Sequence, residues 1–357
     1  MGLTKKRMIL VGLESVTYGS VNNDFTLPAA NGSYAGGENP TTAVKCGSLN
    51  ITPLAGETVQ RNIIQQYFGN TENIQVTQFA TVDFEVELAG SGLVSSTGTS
   101  IKRPQYDKLL KACGFSSTET AADGDVTSGT MTYTPTTPEK IDETSTSIKI
   151  WFFNDNILHR LVGARGNVSF DLTVKKIPTM KFTFTGLLAK DDYAYSDRNT
   201  GVAFPSVNYK DFTVLPVSTL NTTPVSFFGL STDSSTMPLT ESITIDMAND
   251  VKLRTLIGGE HVVISDRKPK GNIKFECPKL ATKNFFDLAR QKTDYVTGSR
   301  GLSITHGTVT GNKVTIAATK LSIDAPKYGT NEGYDMLDMG LIFLPVSGND
   351  ELTITLS

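Results

Sequence analysis

The chain alternates apolar and polar residues over long stretches. Between Ile74 and Leu88, Val82, Phe84, Val86 and Leu88 fall on one face, while Asp83, Glu85 and Glu87 fall on the other. A period of two predicts a half-buried antiparallel strand. Similar runs predict strands at Met8–Leu13, Thr130–Thr134, Ser147–Phe153, Ile157–Leu161, Asn167–Val174 and Thr179–Leu187, with Asp155-Asn156 as a hairpin turn. Helical spacing is rare. After Pro104, Tyr106, Leu109, Leu110 and Cys113 recur at i, i+3, i+4, i+7, and Gly114 stands where a C-terminal cap belongs.

The second half repeats this order. Strands are expected at Ser242–Met247, His261–Ser265 and Asn272–Cys277. A helix follows at Thr282–Arg290, with Thr282 as N-cap and Phe285, Phe286 and Ala289 inward. Strands then return at Leu302–His306, Lys313–Ala317, Leu321–Ile323, Met336–Leu344 and Leu352–Leu356. The helix starts lie 178 positions apart (282 minus 104). The segments Gly163–Leu188 and Lys320–Leu344 also match in kind. Each is an alternating strand, a short connection carrying Lys, and a second strand with a Gly inside it. The pattern predicts a mainly β chain whose β-rich domain is duplicated in tandem.

Between these runs lie polar stretches. Residues 1–55, rich in Gly, Asn and Pro, read as an N-terminal arm with one strand; a segment this polar orders only against something else. Ser116–Gly129 reads as a loop. Residues 191–240, with Pro205, Pro216, Pro224 and Pro238, read as a linker or insertion, with Phe212–Leu215 as a candidate strand. The expected units are 56–190 and 241–357.

Composition narrows the function. A chain of 357 residues fits two domains of ordinary size, and 38% hydrophobic residues suffice for sheets with polar outer faces. A net charge of -3 argues against a general nucleic-acid binder. The cysteines Cys46, Cys113 and Cys277 are odd in number and form no CxxC pair, which fits synthesis in a reducing cytoplasm. The apolar run Met8–Leu13 is too short for a signal peptide and is broken by Glu14, Lys6 stands where myristoylation needs Ser or Thr, and no run is long enough to span a membrane.

Candidate chemistry is sparse. His159, His261 and His306 lie far apart and outside any metal spacing. Gly90-Ser-Gly92 precedes neither a further glycine of a phosphate loop nor a helix, and Asp123-Gly-Asp125 lacks a calcium-loop ladder. No catalytic set, cofactor site or metal site is expected. Asp83, Glu85 and Glu87 form the one conspicuous carboxylate run. They read either as a solvated outer face or as the acidic wall of a channel, where negative charge repels phosphates and lets DNA pass without sticking. The basic run Asp266-Arg-Lys-Pro-Lys-Gly271 reads as a turn between strands, either solvated or touching a neighbouring subunit.

Five segments in order resemble the tail tube (major tail) proteins of long-tailed, siphovirus-like bacteriophages. They are Leu13-Glu-Ser-Val-Thr-Tyr-Gly19; Ile51–Arg61 with Tyr67-Phe-Gly69; Phe84–Gly92; Tyr106–Phe115; and the pair Gly163–Leu172 and Ile177–Gly186. The resemblance covers residues 10–190, and the second half joins it through its repeated order. It implies a β-sandwich or barrel-like domain flanked by one helix, in subunits that join sheets edge to edge into rings and stack as a hollow tube. With two domains per chain, trimers would have pseudo-six-fold symmetry. It further implies contacts between subunits or rings at Glu14, Thr17, Tyr18, Arg61, Tyr67 and Phe68. Implied partners are the chain itself, tape-measure, tail-tip and tail-terminator proteins, and genomic DNA in transit without specific binding; the implied location is the virion tail. Alternatives are a baseplate hub, a tail-terminator or capsid decoration protein, or a receptor- or carbohydrate-binding β module.

Overall fold

The computed structural model describes residues 6–14, 18, 42–61, 63–90, 103–120, 129–137, 147–154, 157–189, 223–232, 236–290, 299–309 and 311–357. The fold is mainly β. The first half contains β1 (Arg7–Leu13), β2 (Thr42–Val44), β3 (Gly47–Ala55), β4 (Thr58–Gln60), β5 (Asn73–Gln75) and β6 (Phe79–Glu87). Helix α1 (Asp107–Ala112) follows, then β7 (Phe115–Thr120), β8 (Thr130–Pro135), β9 (Ile148–Asn154), β10 (Ile157–Thr173) and β11 (Thr179–Leu188). The second half contains β12 (Val225–Phe227), β13 (Leu230–Ser231), β14 (Thr240–Asp246), β15 (Asn249–Leu256), β16 (Gly259–Arg267) and β17 (Lys270–Glu276). Helix α2 (Phe285–Ala289) precedes β18 (Leu302–His306), β19 (Val314–Ala318), β20 (Leu321–Ile323), β21 (Lys327–Asn331), β22 (Tyr334–Phe343) and β23 (Thr353–Leu356).

Two antiparallel sheets pack around a shared core. The larger one runs β3-β6-β11-β10-β14-β17-β22, with β20 and β21 together on the far flank of β22 and β9-β1-β2 continuing from the first part of β10. The smaller one runs β13-β12-β18-β19-β23-β8-β7. Strict alternation explains the packing. Val82, Phe84 and Val86 of β6 are buried, as are Met180, Phe182 and Phe184 of β11 and Ile273 and Phe275 of β17. Phe84 stacks on Phe182 with ring centroids 5.6 Å apart, and Phe227 of the smaller sheet stacks on Phe285 of α2 at 5.7 Å. One apolar cluster runs from Ile9 to Leu356, so both halves contribute to a single interior. Trp151 sits in a separate small cluster with Met8, Leu10 and Phe153.

The pairing pattern occurs twice. β3 pairs with β6, β6 with β11, and β11 with β10. β14 pairs with β17, β17 with β22, and β22 with β20. A two-stranded hairpin lies between the first two members of each set: β4–β5 in one and β15–β16 in the other. β10 joins the sets by pairing with β14, from Ser169 opposite Asp246 to Thr173 opposite Ser242.

Several expectations from the sequence are corrected. β10 is one strand of 17 residues, not two, because Gly163 takes a positive φ of 59° and absorbs a register shift between Val162 and Arg165. That shift lets β10 pair first with β9 and then with β14. The expected run Ile74–Leu88 divides into β5 and β6. Ser116–Thr120 is strand, not loop: β7 is a polar strand that, among the described residues, pairs only with β8. The second helix begins at Phe285, with Asn284 as its cap; the Asn284 side chain accepts from Asp287 N–H, while Lys279–Thr282 form a preceding turn. The described part of residues 1–55 holds three strands, and Met8 to Val11 are core rather than arm. Phe212–Leu215 and Asp155-Asn156 lie outside the described residues.

The basic run contains the turn Lys268-Pro269 between β16 and β17, but Arg267 is not solvated. Its Nε donates to Glu351 Oε1 at 2.6 Å, Nη1 to Thr136 O at 2.9 Å and Nη2 to Asn349 Oδ1 at 3.0 Å. One guanidinium thus ties β16 to the end of β8 and to the segment before β23. Glu351 is buried, so Arg267→Ala strands its carboxylate. A loss of about 2–4 kcal/mol in unfolding free energy is expected from urea titration. A loss below about 0.5 kcal/mol would show the clip to be dispensable.

Candidate assembly surfaces and polar face

The first surface is the outer face of the larger sheet. Alternation places Asp83, Glu85 and Glu87 there, away from the buried Val82, Phe84 and Val86. Cross-strand register sets Asp83 beside Thr183, Glu85 beside Lys181 and Glu87 beside Thr179. The rows continue through Asn167, Ser169 and Asp171, then Asp246 and Thr244, then Lys270, Asn272 and Lys274. Side chains link neighbouring strands: Thr183 Oγ1 donates to Asp83 at 2.7 Å, Asn167 Nδ2 to Asp246 at 2.7 Å and Asn272 Nδ2 to Asp338 at 2.6 Å. The face is mainly polar, with acids exceeding the interspersed lysines and the exposed Ile342 opposite Lys270. A shallow depression of about 410 Å³ lies over Glu85, Ser169, Lys181, Asp246 and Lys270.

The second surface is a pair of sheet edges. Among the described residues, β3 pairs only with β6 and β21 only with β22, so each offers one flank without a partner there. These strands were not singled out by sequence. β3 lies in the stretch read as arm, and the β21 sequence Lys-Tyr-Gly-Thr-Asn is too short and polar to show alternation.

The third is the β4–β5 hairpin and its loop. Ile64 is 102% exposed, Tyr67 73% and Phe68 109%. Val59, Ile63, Ile74 and Val76 are also exposed, giving an apolar surface well beyond scattered surface residues. Arg61 adds the last rung at the loop end of the hairpin by donating its N–H to Glu72 O at 3.1 Å, and its side chain is exposed. Arg61, Tyr67 and Phe68 are therefore brought together on one projection.

Glu14 and Tyr18 sit elsewhere and face inward, while Thr17 lies outside the described residues. Glu14 is buried; Oε1 accepts from Gly163 N–H at 2.6 Å and Oε2 accepts from Ser147 Oγ–H at 2.5 Å. Tyr18 Oη donates to Gly163 O at 3.0 Å and accepts from Val262 N–H at 2.5 Å. Burial pushes the Tyr18 hydroxyl up to about 12, so it keeps the proton that this donation needs. Arg165 lies over the Tyr18 ring at 5.3 Å and donates Nη1 to Val262 O at 3.2 Å. Glu14 and Tyr18 thus meet β10 at Gly163, where an added Cβ would come within 2.6 Å of the Tyr18 ring. Arg165 was not anticipated, although an Arg between glycines inside an alternating strand was the available signal.

Among the described residues, no group of three His, Cys, Asp or Glu is placed to hold a metal ion, and no helix is long and apolar enough to cross a membrane. His306 has its pKa lowered by burial within β18. The comparison with curated proteins found no match. Among solved structures, the chain aligns with the di-domain ARO/CYC protein StfQ of the steffimycin biosynthetic pathway. The identity is 9%, the alignment covers 74% of this chain and 84% of that one, and the TM-score of 0.10 carries no argument about fold. The family model described as phage tail tube protein matches residues 6–347, nearly the whole length, and the chain belongs to that family.

Proposed function

We propose that three copies of this chain close head to tail into a ring and that the rings stack as the wall of a phage tail tube through which DNA is delivered. The observation that carries this reading is the twice-used pairing order. Within one chain the first set meets the second at β10–β14. At the ends of the same sheet, β3 and β20–β21 hold the places of β14 and β10, and both lack a partner on one flank among the described residues. A contact between β21 of one copy and β3 of the next would repeat the internal junction. Such a head-to-tail contact is heterologous and closes when the rotation closes. On this reading the chain is a tandem duplication, and three chains supply six equivalent units.

The polar face then lines the lumen. Acids in the majority repel phosphate, and lysines between them limit the field, so DNA slides without being held. Stacked rings also need a start and an end, which fits tail-tip, tape-measure and tail-terminator partners.

Electron microscopy of the purified chain at high concentration tests the reading. Hollow tubes or rings with three-fold symmetry and six lobes are expected. Rings of six chains would overturn the duplication as the basis of symmetry. Single rings that never stack would favour a tail-terminator or hub.

A further inference from the structure

The two strand sets of one chain are joined twice, once in each layer. In the larger sheet they meet along β10–β14, from Ser169 opposite Asp246 to Thr173 opposite Ser242. In the smaller sheet β23 lies between the two halves. It pairs with β19 of the second half, Ala317 opposite Thr353 to Val314 opposite Leu356. Its other flank pairs with β8 of the first half, Ile354 opposite Tyr133 to Leu356 opposite Met131. Leu352, Ile354 and Leu356 are fully buried in the shared core. The Arg267 clip closes this joint at one end. Arg267, the last residue of β16, holds Thr136 just past β8 and Asn349 and Glu351 just ahead of β23. Thr137 Oγ1 also donates to Asn349 Oδ1 at 2.8 Å.

This second joint occurs once per chain. β7 and β8 stand between α1 and β9. In the second half α2 ends at Ala289 and β18 begins at Leu302, a stretch too short for another pair like β7–β8, which runs from Phe115 to Pro135. Both flanks of β8 and of β23 are occupied within the chain.

We propose that β23 and the Arg267 clip form a clasp that fixes the angle between the two strand sets, and through it the number of copies that close a ring. This rests on the ring reading above and adds to it what sets the count. Pairing along β10–β14 alone is a hinge, since neighbouring strands tolerate twists from about −10° to about −35°. That latitude matters, because three copies must each turn about 120° and four about 90°. The clasp removes it. Stacked sheets lie about 10 Å apart, so an opening turn of about 30° about β10–β14 would leave a gap of about 5 Å at β23, a full strand spacing. The hydrogen bonds of β23 would have to break, and Arg267 would be pulled from Glu351. A turn the other way would overpack the core that Leu352, Ile354 and Leu356 fill.

The test counts the chains in isolated rings by native mass spectrometry. The unsubstituted protein should give three. Arg267→Ala, with its fold checked by circular dichroism, should raise the fraction of rings with any other count by about fivefold or more. Arg267→Lys keeps a cation near Glu351 but loses the contacts to Thr136 and Asn349. It should give a smaller rise, and it decides the matter where Arg267→Ala does not fold. A rescue separates angle from stability. Thr132 and Thr355 are opposite each other on the outer side of β8 and β23. Opposed residues of antiparallel strands lie within disulfide reach. Thr132→Cys with Thr355→Cys, oxidised in the Arg267→Ala chain, should restore three-chain rings, and reduction should broaden the count again; the unsubstituted protein under the same oxidation is the control. Folded variants that close only as three overturn the clasp and leave the ring reading standing. So does a broad count that the oxidised disulfide fails to narrow. Rings of six unsubstituted chains, or no rings at any concentration, overturn both.

Discussion

Thr330→Pro is expected to abolish ring formation while the monomer keeps its circular dichroism spectrum and melts within a few degrees of the unsubstituted protein. Asn331 and Tyr334 close a two-residue turn in which Glu332 (φ 49°) and Gly333 (φ 89°) are both left-handed. Such a turn makes Asn331 and Tyr334 a hydrogen-bonded pair, so the next residue along, Thr330, turns its N–H away from β22. In the monomer that N–H faces water, and proline at such an edge costs about 1 kcal/mol or less. In a ring the same N–H would be a donor to the neighbour's β3. Proline removes it and places a ring carbon in the gap, which is how natural sheets block edge pairing. Each lost backbone hydrogen bond is worth only about 1 kcal/mol net, but an unsatisfied partner adds about 1–3 kcal/mol, and a closed trimer suffers the loss three times. Thr330→Val keeps the N–H and should still form rings. Normal rings from Thr330→Pro would exclude β21 as the closing edge.

The larger sheet was legible because its strands are long and one-sided. In β6, β11 and β17, buried residues alternate with residues open to water, and this alternation is the signal that sequence reading detects. β10 was read as two strands because Gly163 breaks the alternation; a positive φ is invisible without coordinates. β7 was read as loop because an edge strand carrying Ser, Thr and Glu has no buried face after Phe115. The Asn284 cap lost to Thr282 because both residue types cap helices, and only the fold decides which one the turn reaches.

The candidate surfaces divide along the same line. Tyr67 and Phe68 stood out as aromatics in a polar stretch, and Asp83, Glu85 and Glu87 as an acidic strand face; their geometry follows from local pattern. The edges β3 and β21 follow from global strand order, which local pattern does not encode. Glu14 was conspicuous in the sequence, but its direction was not. Its partners, Ser147 and Gly163, are 133 and 149 residues away.

That separation makes Glu14→Ala the sharpest substitution for stability, with an expected loss of about 3 kcal/mol of unfolding free energy. The carboxylate is 2% exposed, and both of its oxygens are used. Removing it leaves the Gly163 N–H without an acceptor at the point where β10 shifts register. The Gly163 carbonyl is already committed to Tyr18, and the Tyr18 ring leaves no room for a residue larger than glycine. The whole turn therefore hangs on Glu14 from one side and Tyr18 from the other. Its loss should loosen the seat of β16, because the Tyr18 hydroxyl also accepts from Val262. Glu14→Gln keeps one acceptor oxygen for Gly163 and should lose less. Urea unfolding of the monomer measures both variants, and hydrogen exchange at Val262 reports whether the damage reaches the hairpin. The alternative role, a contact between subunits, gives the opposite pattern. Monomer stability would stay within about 0.5 kcal/mol of the unsubstituted chain, and only assembly would fail.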